Sequence, residues 1–255
     1  MGALHGGHLS LVKKAGAHAT KVVASIFVNP TQFAPGEDFD TYPRDESADR
    51  AKLDSAGCDL VYLPTVEEMY PEGTRTNVRV EQMSDLLDGI YRPHFFYGVA
   101  TVVARLFLHV QPDVAVFGEK DYQQLQIIRR MVKDLGFPID ILGGETTRDA
   151  DGLAQSSRNL YLSPEERRTA GAIQAALHRA SVRLSLGAKP SDVLAEAKAL
   201  IMAAGFTEMN YVSLVDPASL EDLPDEPLPV GTIARLLGAA WLGKTRLIDN
   251  ISVTR

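Results

Sequence analysis

Two histidines near the amino terminus, His5 and His8, have a type and spacing suited to binding phosphate. Glycines surround them, and an apolar-periodic helix is predicted over Leu9–Ala19 directly afterwards. A helix N-terminus presents N–H groups and a partial positive charge that attract phosphate, and side chains three residues apart share a helix face. Each imidazole can donate a hydrogen bond to a phosphate oxygen. A flexible terminus that binds nothing is the alternative.

Two later segments carry cations and hydroxyl groups that suit a nucleotide. Lys120 and Asp121 follow the predicted strand Val114–Phe117, and ligands of open parallel sheets bind beyond the carboxyl ends of strands. In Gln155–Arg158 two serines precede an arginine, whose guanidinium offers a fork of donors to a polyphosphate. The alternatives are a solvated, charged helix start, the commoner fate of such a stretch, for the first segment and a polar interdomain loop for the second.

Neutral amides at two strand ends suit a small polar substrate. Asn29 and Gln32 follow the predicted strand Val22–Val28, where a turn closed by a buried phenylalanine is the alternative. Gln123 and Gln124 are adjacent on a predicted helix. Neighbouring side chains on a helix point about 100° apart, so only one of these two is expected to face a site.

Composition and charge exclude several classes of protein. The chain has 255 residues, and 26 Lys and Arg against 33 Asp and Glu give a formal net charge of −7. Nucleic-acid binding needs clustered excess cation, so no nucleic-acid partner is expected. The single cysteine, Cys58, excludes an intrachain disulfide framework and favours a reducing, cytoplasmic location. No apolar run approaches the roughly 20 residues of a membrane span, and no membrane partner is expected.

Up to about residue 150, short apolar runs rich in β-branched residues alternate with amphipathic helices. This alternation predicts an α/β domain with a doubly wound, Rossmann-like parallel sheet. The apolar runs are nearly continuous, which is typical of strands buried on both faces. The predicted strands are Val22–Val28, Leu60–Leu63, Val114–Phe117 and Ile139–Leu142, and the predicted helices are Leu9–Ala19, Ser47–Ala56 and Tyr122–Leu135.

Beyond residue 150, helices come first and strands follow, which predicts a smaller carboxyl-terminal α+β domain. Ser163 is suited to cap the first of these helices, and Gly205 to end the second. A turn-forming stretch near residues 146–152 separates the predicted domains, 1–147 and 148–255. The predicted elements are the helices Pro164–Leu186 and Ser191–Ala204 and the strands Asn210–Val215 and Ile233–Leu242.

Together these segments resemble the pantoate–β-alanine ligase family, within the nucleotidyltransferase superfamily that carries a His-x-Gly-His pair. The likeness runs from Met1 to about Ile251, and the motifs Asn-Pro-x-Gln-Phe, Gly-Glu-Lys-Asp-Tyr-Gln-Gln and Ser-Ser-Arg-Asn occur in that order. The resemblance implies that ATP and pantoate form pantoyl adenylate and pyrophosphate, and that β-alanine then releases AMP and pantothenate. It also implies Mg²⁺ with ATP, a cytoplasmic location and a homodimer.

Site residues follow from the resemblance and from residue chemistry. In the family's pattern His8 is the proton donor, and Gln32 and Gln124 contact pantoate. His5, His8, Lys120 and Arg158 are of the right type to stabilise charge on departing pyrophosphate, and no protein nucleophile is required. The implied ATP contacts are Met1, Gly2, Ala3, Leu4, His5, Gly6, Gly7, His8, Gly118, Glu119, Lys120, Asp121, Thr147, Gln155, Ser156, Ser157 and Arg158.

The chain departs from the family pattern at its start. In the family a valine-rich strand and a Pro-Thr precede the Met-Gly-x-Leu-His stretch, whereas here Met1 is the first residue. The sheet is therefore expected to lack its first strand, with unpaired ladder groups and exposed apolar side chains. We expect in-frame upstream codons for that segment. In addition, Gln155 replaces a methionine or leucine near the nucleotide, which predicts an altered adenine contact.

Two other functions fit part of the pattern. An adenylyltransferase would move AMP onto a phosphate, but its substrate pocket should be cationic, whereas Asn29, Gln32 and Gln124 are neutral. An inactive, nucleotide-binding or dimerising remnant would follow from the missing strand. Such a remnant would bind ATP and pantoate without producing AMP.

Overall fold

The computed structural model describes residues 2–34, 36 and 39–255. The chain divides into two compact units. Unit 1 runs to Glu119 and resumes over Gln123–Glu145, and unit 2 comprises Lys120–Tyr122 and Thr146–Arg255. No helix in the described ranges combines the length and the apolar character needed to cross a bilayer.

Unit 1 has the α/β character predicted from the sequence, with two parallel strand pairs among its helices. Helix α6 starts at Tyr122, which clusters with unit 2, and continues in unit 1. The elements in chain order are α1 (Gly6–Gly16), β1 (Val23–Ser25), α2 (Glu46–Ser55), β2 (Leu60–Tyr62), α3 (Val66–Met69), α4 (Asp88–Tyr91), α5 (Phe95–Val110), β3 (Val114–Gly118), α6 (Tyr122–Leu135) and β4 (Asp140–Gly144). Short 3-10 helices span Pro30–Gln32, Met83–Asp85 and Glu119–Asp121.

The parallel strands form two separate pairs rather than one continuous sheet. β1 pairs with β2, and β3 pairs with β4. Val23 and Leu60 are 42% and 53% exposed, so the prediction of strands buried on both faces is wrong for the first pair. Three-residue strands in a two-stranded sheet have few neighbours to cover their side chains.

Two helices of unit 1 differ from the sequence predictions, one in its start and one in having been missed. α1 begins at Gly6, three residues before the predicted start at Leu9, because the imidazole of His5 acts as its N-cap. α5 was not predicted, although it is buried over most of its length. A Cβ on Gly98 in this helix would lie 2.6 Å from the carbonyl oxygen of Thr31, so this glycine permits close packing of α5 on the loop that carries Gln32.

Unit 2 packs helices against an antiparallel sheet with the strand order β5-β6-β7. Its core lies between α8, α9 and this sheet, with Leu177, Leu184, Ile201 and Leu236 fully buried. The elements are α7 (Pro164–Thr169), α8 (Ala172–Ser185), α9 (Pro190–Ala203), β5 (Glu208–Val215), β6 (Ile233–Leu242) and β7 (Thr245–Thr254), with a 3-10 helix over Ser157–Tyr161.

Two predictions for unit 2 need correction. The single helix Pro164–Leu186 is two helices, α7 and α8, and the break lies at Ala170 and Gly171. A Cβ on Gly171 would lie 2.8 Å from the carbonyl oxygen of Asp151, so the chain passes close by at this break. Strand β7 was not predicted, although Gly243, with a φ of +57°, provides the tight turn that joins it to β6.

Candidate active site

The two histidines of unit 1 are ordered at the N-terminus of α1. The Nδ1 atom of His5 accepts a hydrogen bond from the Gly7 N–H at 3.2 Å, and the Nδ1 atom of His8 accepts one from the His5 N–H at 3.3 Å. The ring centres are 4.0 Å apart. The two imidazoles are therefore part of a capping box and are brought together as predicted from their spacing.

These contacts also fix which ring nitrogen carries the proton. A neutral imidazole has one donor nitrogen and one acceptor nitrogen. Since Nδ1 of both rings accepts a main-chain N–H, the proton of each neutral ring lies on Nε2. His5 and His8 thus present Nε2–H as a donor, which is the chemistry that a phosphate oxygen requires.

The residue before His5 is held by two side chains of α2. The carboxylate of Asp49 accepts from the Leu4 N–H at 2.7 Å, and the ammonium of Lys52 donates to the Leu4 carbonyl at 2.8 Å. Asp49 is only 1% exposed. The preceding Ala3 has a φ of +50°, in the left-handed region that a side chain disfavours. The Asp49–Lys52 pair therefore holds the start of the histidine motif in a strained conformation.

Asn29 and Gln32 form a connected polar chain with Tyr70. The Tyr70 hydroxyl donates to Oδ1 of Asn29 at 2.8 Å, and Nδ2 of Asn29 lies 3.4 Å from Oε1 of Gln32. Nδ2 of Asn29 also donates to the Gly98 carbonyl at 3.1 Å. Burial raises the pKa of Tyr70, so its phenol stays protonated and can donate at neutral pH.

This arrangement separates the roles of the two amides. Asn29 is 2% exposed, and both ends of its side-chain amide have protein partners. Because its nitrogen faces Oε1 of Gln32, the amide nitrogen of Gln32 is left as the donor for a ligand. Asn29 therefore orients Gln32 in this unit.

The adjacent glutamines of α6 lie in different surroundings, as their helical spacing predicts. Gln123 is 3% exposed; its Nε2 donates to the carbonyls of Met83 and Leu86, and its Oε1 accepts from the Asp88 N–H. Gln124 is half-buried. Gln123 is thus committed to the fold, and Gln124 stays the member of the pair that is predicted to contact a substrate.

The end of β3 is closely packed in unit 1. A Cβ on Gly118 would lie 3.8 Å from the Leu11 side chain of α1, and one on Gly143 would lie 2.8 Å from the Glu119 carboxylate. Lys14 of α1 donates to the Gly143 carbonyl at 2.5 Å. Helix α1, which carries His8, is thereby fixed against β3 and β4.

In unit 2 the predicted ATP residues Thr147 and Gln155 lie on the two arms of a tight hairpin. The Gln155 N–H donates to the Thr147 carbonyl at 2.9 Å, and Gly152, with a φ of +86°, forms the turn. The side-chain amide of Gln155 donates to the Asp149 carboxylate at 3.0 Å. Gln155 therefore has a polar partner that methionine or leucine would lack.

Charged contacts stabilise this hairpin. Arg148 forms a bidentate pair with the buried Asp249 at 2.6 and 2.9 Å. Arg167 pairs with Asp149 and Asp151, and its hydrogen bond to Asp151 holds the pKa of that carboxyl below its usual value. Positively charged side chains here are thus engaged mainly in holding the hairpin.

The remaining predicted phosphate residues of unit 2 lie in two short helical turns. Ser156 caps the 3-10 helix that contains the buried Ser157 and Arg158, with its Oγ 3.2 Å from the Arg158 N–H. Lys120 is 20% exposed at its side chain, and its ammonium lies 3.9 Å from the Asp121 carboxylate. A loose ion pair of this length leaves the ammonium able to meet an incoming anion.

Met1, a predicted ATP contact, lies outside the described residues. Sequence reasoning also missed several residues that order the site. Asp49 precedes the fully buried Leu53 by four residues and so shares the buried face of α2; a carboxylate on such a face was the available signal. Tyr70 and Asp249 had no comparable signal, because their partners are distant in sequence. Within the described ranges, no group of three or more His, Cys, Asp and Glu side chains could hold a metal ion.

Comparison with known proteins gives consistent results across the chain. The family model "Pantoate-beta-alanine ligase" matches residues 1–252. The chain is 75% identical to the pantothenate synthetase of Hyphomonas neptunium over 256 residues, covering all of this chain and 87% of the relative. It is 54% identical to that of Caulobacter vibrioides, with 99% and 88% covered.

Solved structures of similar proteins have the same fold. A pantothenate synthetase from Thermus thermophilus superposes with a TM-score of 0.95 at 49% identity, covering 100% of this chain and 91% of that one. A pantoate-β-alanine ligase from Francisella tularensis, complexed with beta-gamma ATP and β-alanine, gives a TM-score of 0.81 at 34% identity, with 98% and 86% covered.

Proposed function

This chain belongs to the pantoate–β-alanine ligase family, and from that membership we propose how its own residues carry out the reaction. It condenses pantoate with β-alanine to pantothenate at the expense of ATP. ATP and β-alanine are small-molecule substrates, and Mg²⁺ accompanies the ATP.

The first step joins the pantoate carboxylate to the α-phosphorus of ATP. A carboxylate oxygen forms a P–O bond, the bond to the bridging oxygen of the β-phosphate breaks, and pyrophosphate leaves. Negative charge accumulates on the departing pyrophosphate, so hydrogen-bond donors and cations directed at it lower the barrier. We assign this role to His5 and His8, with Lys120 and Arg158 assigned from the sequence motifs; His8, the proton donor in the family's pattern, acts in this step as a hydrogen-bond donor through Nε2–H.

The second step forms the amide. The neutral amine of β-alanine attacks the acyl carbon of pantoyl adenylate, the C–O bond to AMP breaks, and one amine proton passes to solvent water. The adenylate makes AMP the leaving group, so alignment of the two reactants suffices and no protein nucleophile is required. Gln32 and Gln124 are assigned to pantoate, with Gln32 also reaching β-alanine.

The observation that carries the proposal is the orientation of the two imidazoles at the N-terminus of α1. Their Nδ1 atoms are engaged by main-chain N–H groups, so that both rings offer Nε2–H.

Mg²⁺ keeps several waters and commonly binds through phosphate oxygens. Among the residues that the structure describes, no three His, Cys, Asp or Glu side chains are grouped so that they could hold a metal ion. The triphosphate would supply the principal ligands of Mg²⁺. We also propose a cytoplasmic homodimer, on the strength of the family resemblance alone.

Pyrophosphate release tests the proposed reaction directly. We expect release from ATP that depends on pantoate before β-alanine is added, followed by AMP and an amide product on its addition. Transfer of AMP to a phosphate acceptor without an amide product would indicate an adenylyltransferase. Binding of ATP and pantoate in a calorimeter without AMP formation would indicate an inactive protein.

A further inference from the structure

The carboxyl-terminal sheet of unit 2 holds the segment that carries Lys120. Asn250, on β7, donates from Nδ2 to the main-chain oxygen of Lys120 at 2.9 Å. Arg235, on β6, places its guanidinium carbon 4.1 Å from the centre of the Tyr122 ring, a cation–π distance. Two strands of the sheet thus hold both ends of a three-residue segment.

A third contact holds the same segment through its last residue. The hydroxyl of Tyr122 donates to the carbonyl of Pro217 at 3.0 Å. Tyr122 is buried, so this hydrogen bond satisfies a polar group that would otherwise be costly to desolvate. The position of the segment is therefore set by several independent contacts within unit 2.

Asn250 is fixed in the orientation that its bond to Lys120 requires. It is buried, and its Oδ1 accepts from Nε of Arg235 at 2.7 Å and also from a second guanidinium nitrogen of Arg235. A guanidinium only donates, so this contact assigns the amide oxygen to Arg235. The amide nitrogen is consequently the atom that faces the carbonyl of Lys120.

The preceding residue of β7 holds a second segment in the same way. Asp249 forms the bidentate pair with Arg148, at the base of the hairpin that carries Thr147 and Gln155. Adjacent buried polar residues of one strand therefore hold the Lys120 segment and the base of the hairpin, both of which the family resemblance assigns to ATP.

We propose that Asn250 is a positioning residue of the ligase reaction. By holding the main chain at Lys120, it sets where the Lys120 ammonium meets the triphosphate. This inference rests on the proposed function of Lys120. A displacement of about 1 Å at a reacting group can reduce the rate about 100-fold, so the loss of this one bond has a measurable effect.

The substitution Asn250→Asp tests the proposal with little change in shape. The carboxylate still accepts from Arg235, but an oxygen replaces the donor that faces the Lys120 carbonyl. We expect kcat for pyrophosphate release with ATP and pantoate to fall about tenfold or more, with the KM for pantoate unchanged. A wild-type kcat in this variant would overturn the proposal.

Asn210→Asp is the matched control. Asn210 lies on β5 of the same sheet, and its Oδ1 accepts from Nε of Arg246 at 2.8 Å. The control therefore adds the same charge beside an arginine without touching the Lys120 segment. We expect its rate to equal that of the wild type.

A double variant separates positioning from general structural damage. If Asn250 acts through Lys120, adding Asn250→Asp to Lys120→Ala should produce no further loss of kcat, since coupled residues are not additive. Independent, multiplying losses would show that Asn250 affects the reaction by another route and would overturn the proposal.

Chemical labelling gives a readout that does not depend on the reaction. Acetylation of Lys120 by acetic anhydride, measured by mass spectrometry against Lys133 as internal reference, should change about two- to tenfold in Asn250→Asp, the range corresponding to one net hydrogen bond, and not in Asn210→Asp. The two hypotheses fail separately. Absence of pyrophosphate release by the wild type would refute the proposed function, whereas unchanged Lys120 labelling in Asn250→Asp would overturn the positioning role.

A second variant covers the case in which Asn250→Asp does not fold. Tyr122→Phe removes the hydrogen bond to the Pro217 carbonyl and loosens the same segment from its other end. We expect Lys120 labelling and kcat to change in the same direction as in Asn250→Asp, but by a smaller factor. Wild-type labelling and kcat in Tyr122→Phe would contradict the view that sheet contacts set the position of Lys120.

Discussion

The two units order their proposed site residues through contacts of different reach along the chain. In unit 1, the Gly7 N–H orients the ring of His5 and the His5 N–H orients the ring of His8. Asn29 orients Gln32, and each of these contacts spans no more than three residues. In unit 2, Lys120 is held by a residue 130 positions away and the hairpin base by one 101 positions away. Contacts within a local motif therefore orient donors directly in unit 1, whereas the contacts that hold the proposed site of unit 2 come from an assembled sheet.

Removing one proposed phosphate donor from each unit should produce the largest effect. Loss of a donor that stabilises developing charge costs about 2.7–4 kcal/mol at the transition state, so we expect His8→Ala and Lys120→Ala each to lower turnover by about 100-fold or more. Pantoate-dependent AMP formation measures this, with His18→Ala as the control. Near-normal turnover in either variant would refute the role of that residue.

The fold could be predicted where its pattern is local. The helix Tyr122–Leu135 and the strand Ile233–Leu242 have the predicted bounds. α5 was missed although its sequence is mostly apolar, because an apolar run does not by itself distinguish a buried helix from a buried strand. The break between α7 and α8 depends on the close approach of Asp151 to Gly171, and contacts between distant residues leave no local signal.

The site shows the same division. The capping chemistry of His5 and His8 follows from their spacing and neighbours. The buried groups that hold them do not: Asp49 binds Leu4 across 45 residues, and Tyr70 binds Asn29 across 41. Residue type therefore indicated which side chains have suitable chemistry, and only the fold identifies the side chains that position them.

Asp49 makes one of the long-range contacts of unit 1, and its removal tests how far local order suffices to hold the histidine motif. Asp49→Ala leaves the buried Leu4 N–H without its acceptor, which costs about 1–3 kcal/mol. We expect the free energy of unfolding in urea to fall by that amount and ATP to bind more weakly. Asp54→Ala, on the exposed side of the same helix, should do neither. Equal effects from the two substitutions would show that the histidine motif orders itself.

Tyr70→Phe tests the polar chain that ends at Gln32. The phenol donates to Asn29 at 2.8 Å, and a hydrogen bond of this kind contributes about 0.5–1.5 kcal/mol. We expect the KM for pantoate to rise about two- to tenfold, with the KM for ATP unchanged. Tyr97→Phe removes a hydroxyl that bonds to Asp85 elsewhere in the unit and should leave both values alone. A higher KM for ATP in Tyr70→Phe would contradict a role confined to Gln32.

The smallest effect is expected at the charged contacts that support the hairpin of unit 2. Arg167 donates to Asp151 and keeps the pKa of that carboxyl below its ordinary value of 3.8. A lowered pKa in the folded state contributes stability above the unfolded value, and this contribution is lost as the pH falls through the folded value. Both side chains are about one-third or more exposed, so solvent screening limits the contribution to below about 1 kcal/mol.

Arg167→Gln should therefore reduce the free energy of unfolding slightly at pH 7, and the difference from the wild type should shrink as the pH falls below about 4. Urea titrations at several pH values measure this. Lys189→Gln is the comparison variant. It removes the more exposed ion pair with Asp225, whose carboxyl pKa Lys189 also lowers, and it should show a smaller difference with the same pH dependence. A difference that stays constant down to low pH would mean that Arg167 supports the hairpin through packing of its stem instead of its charge.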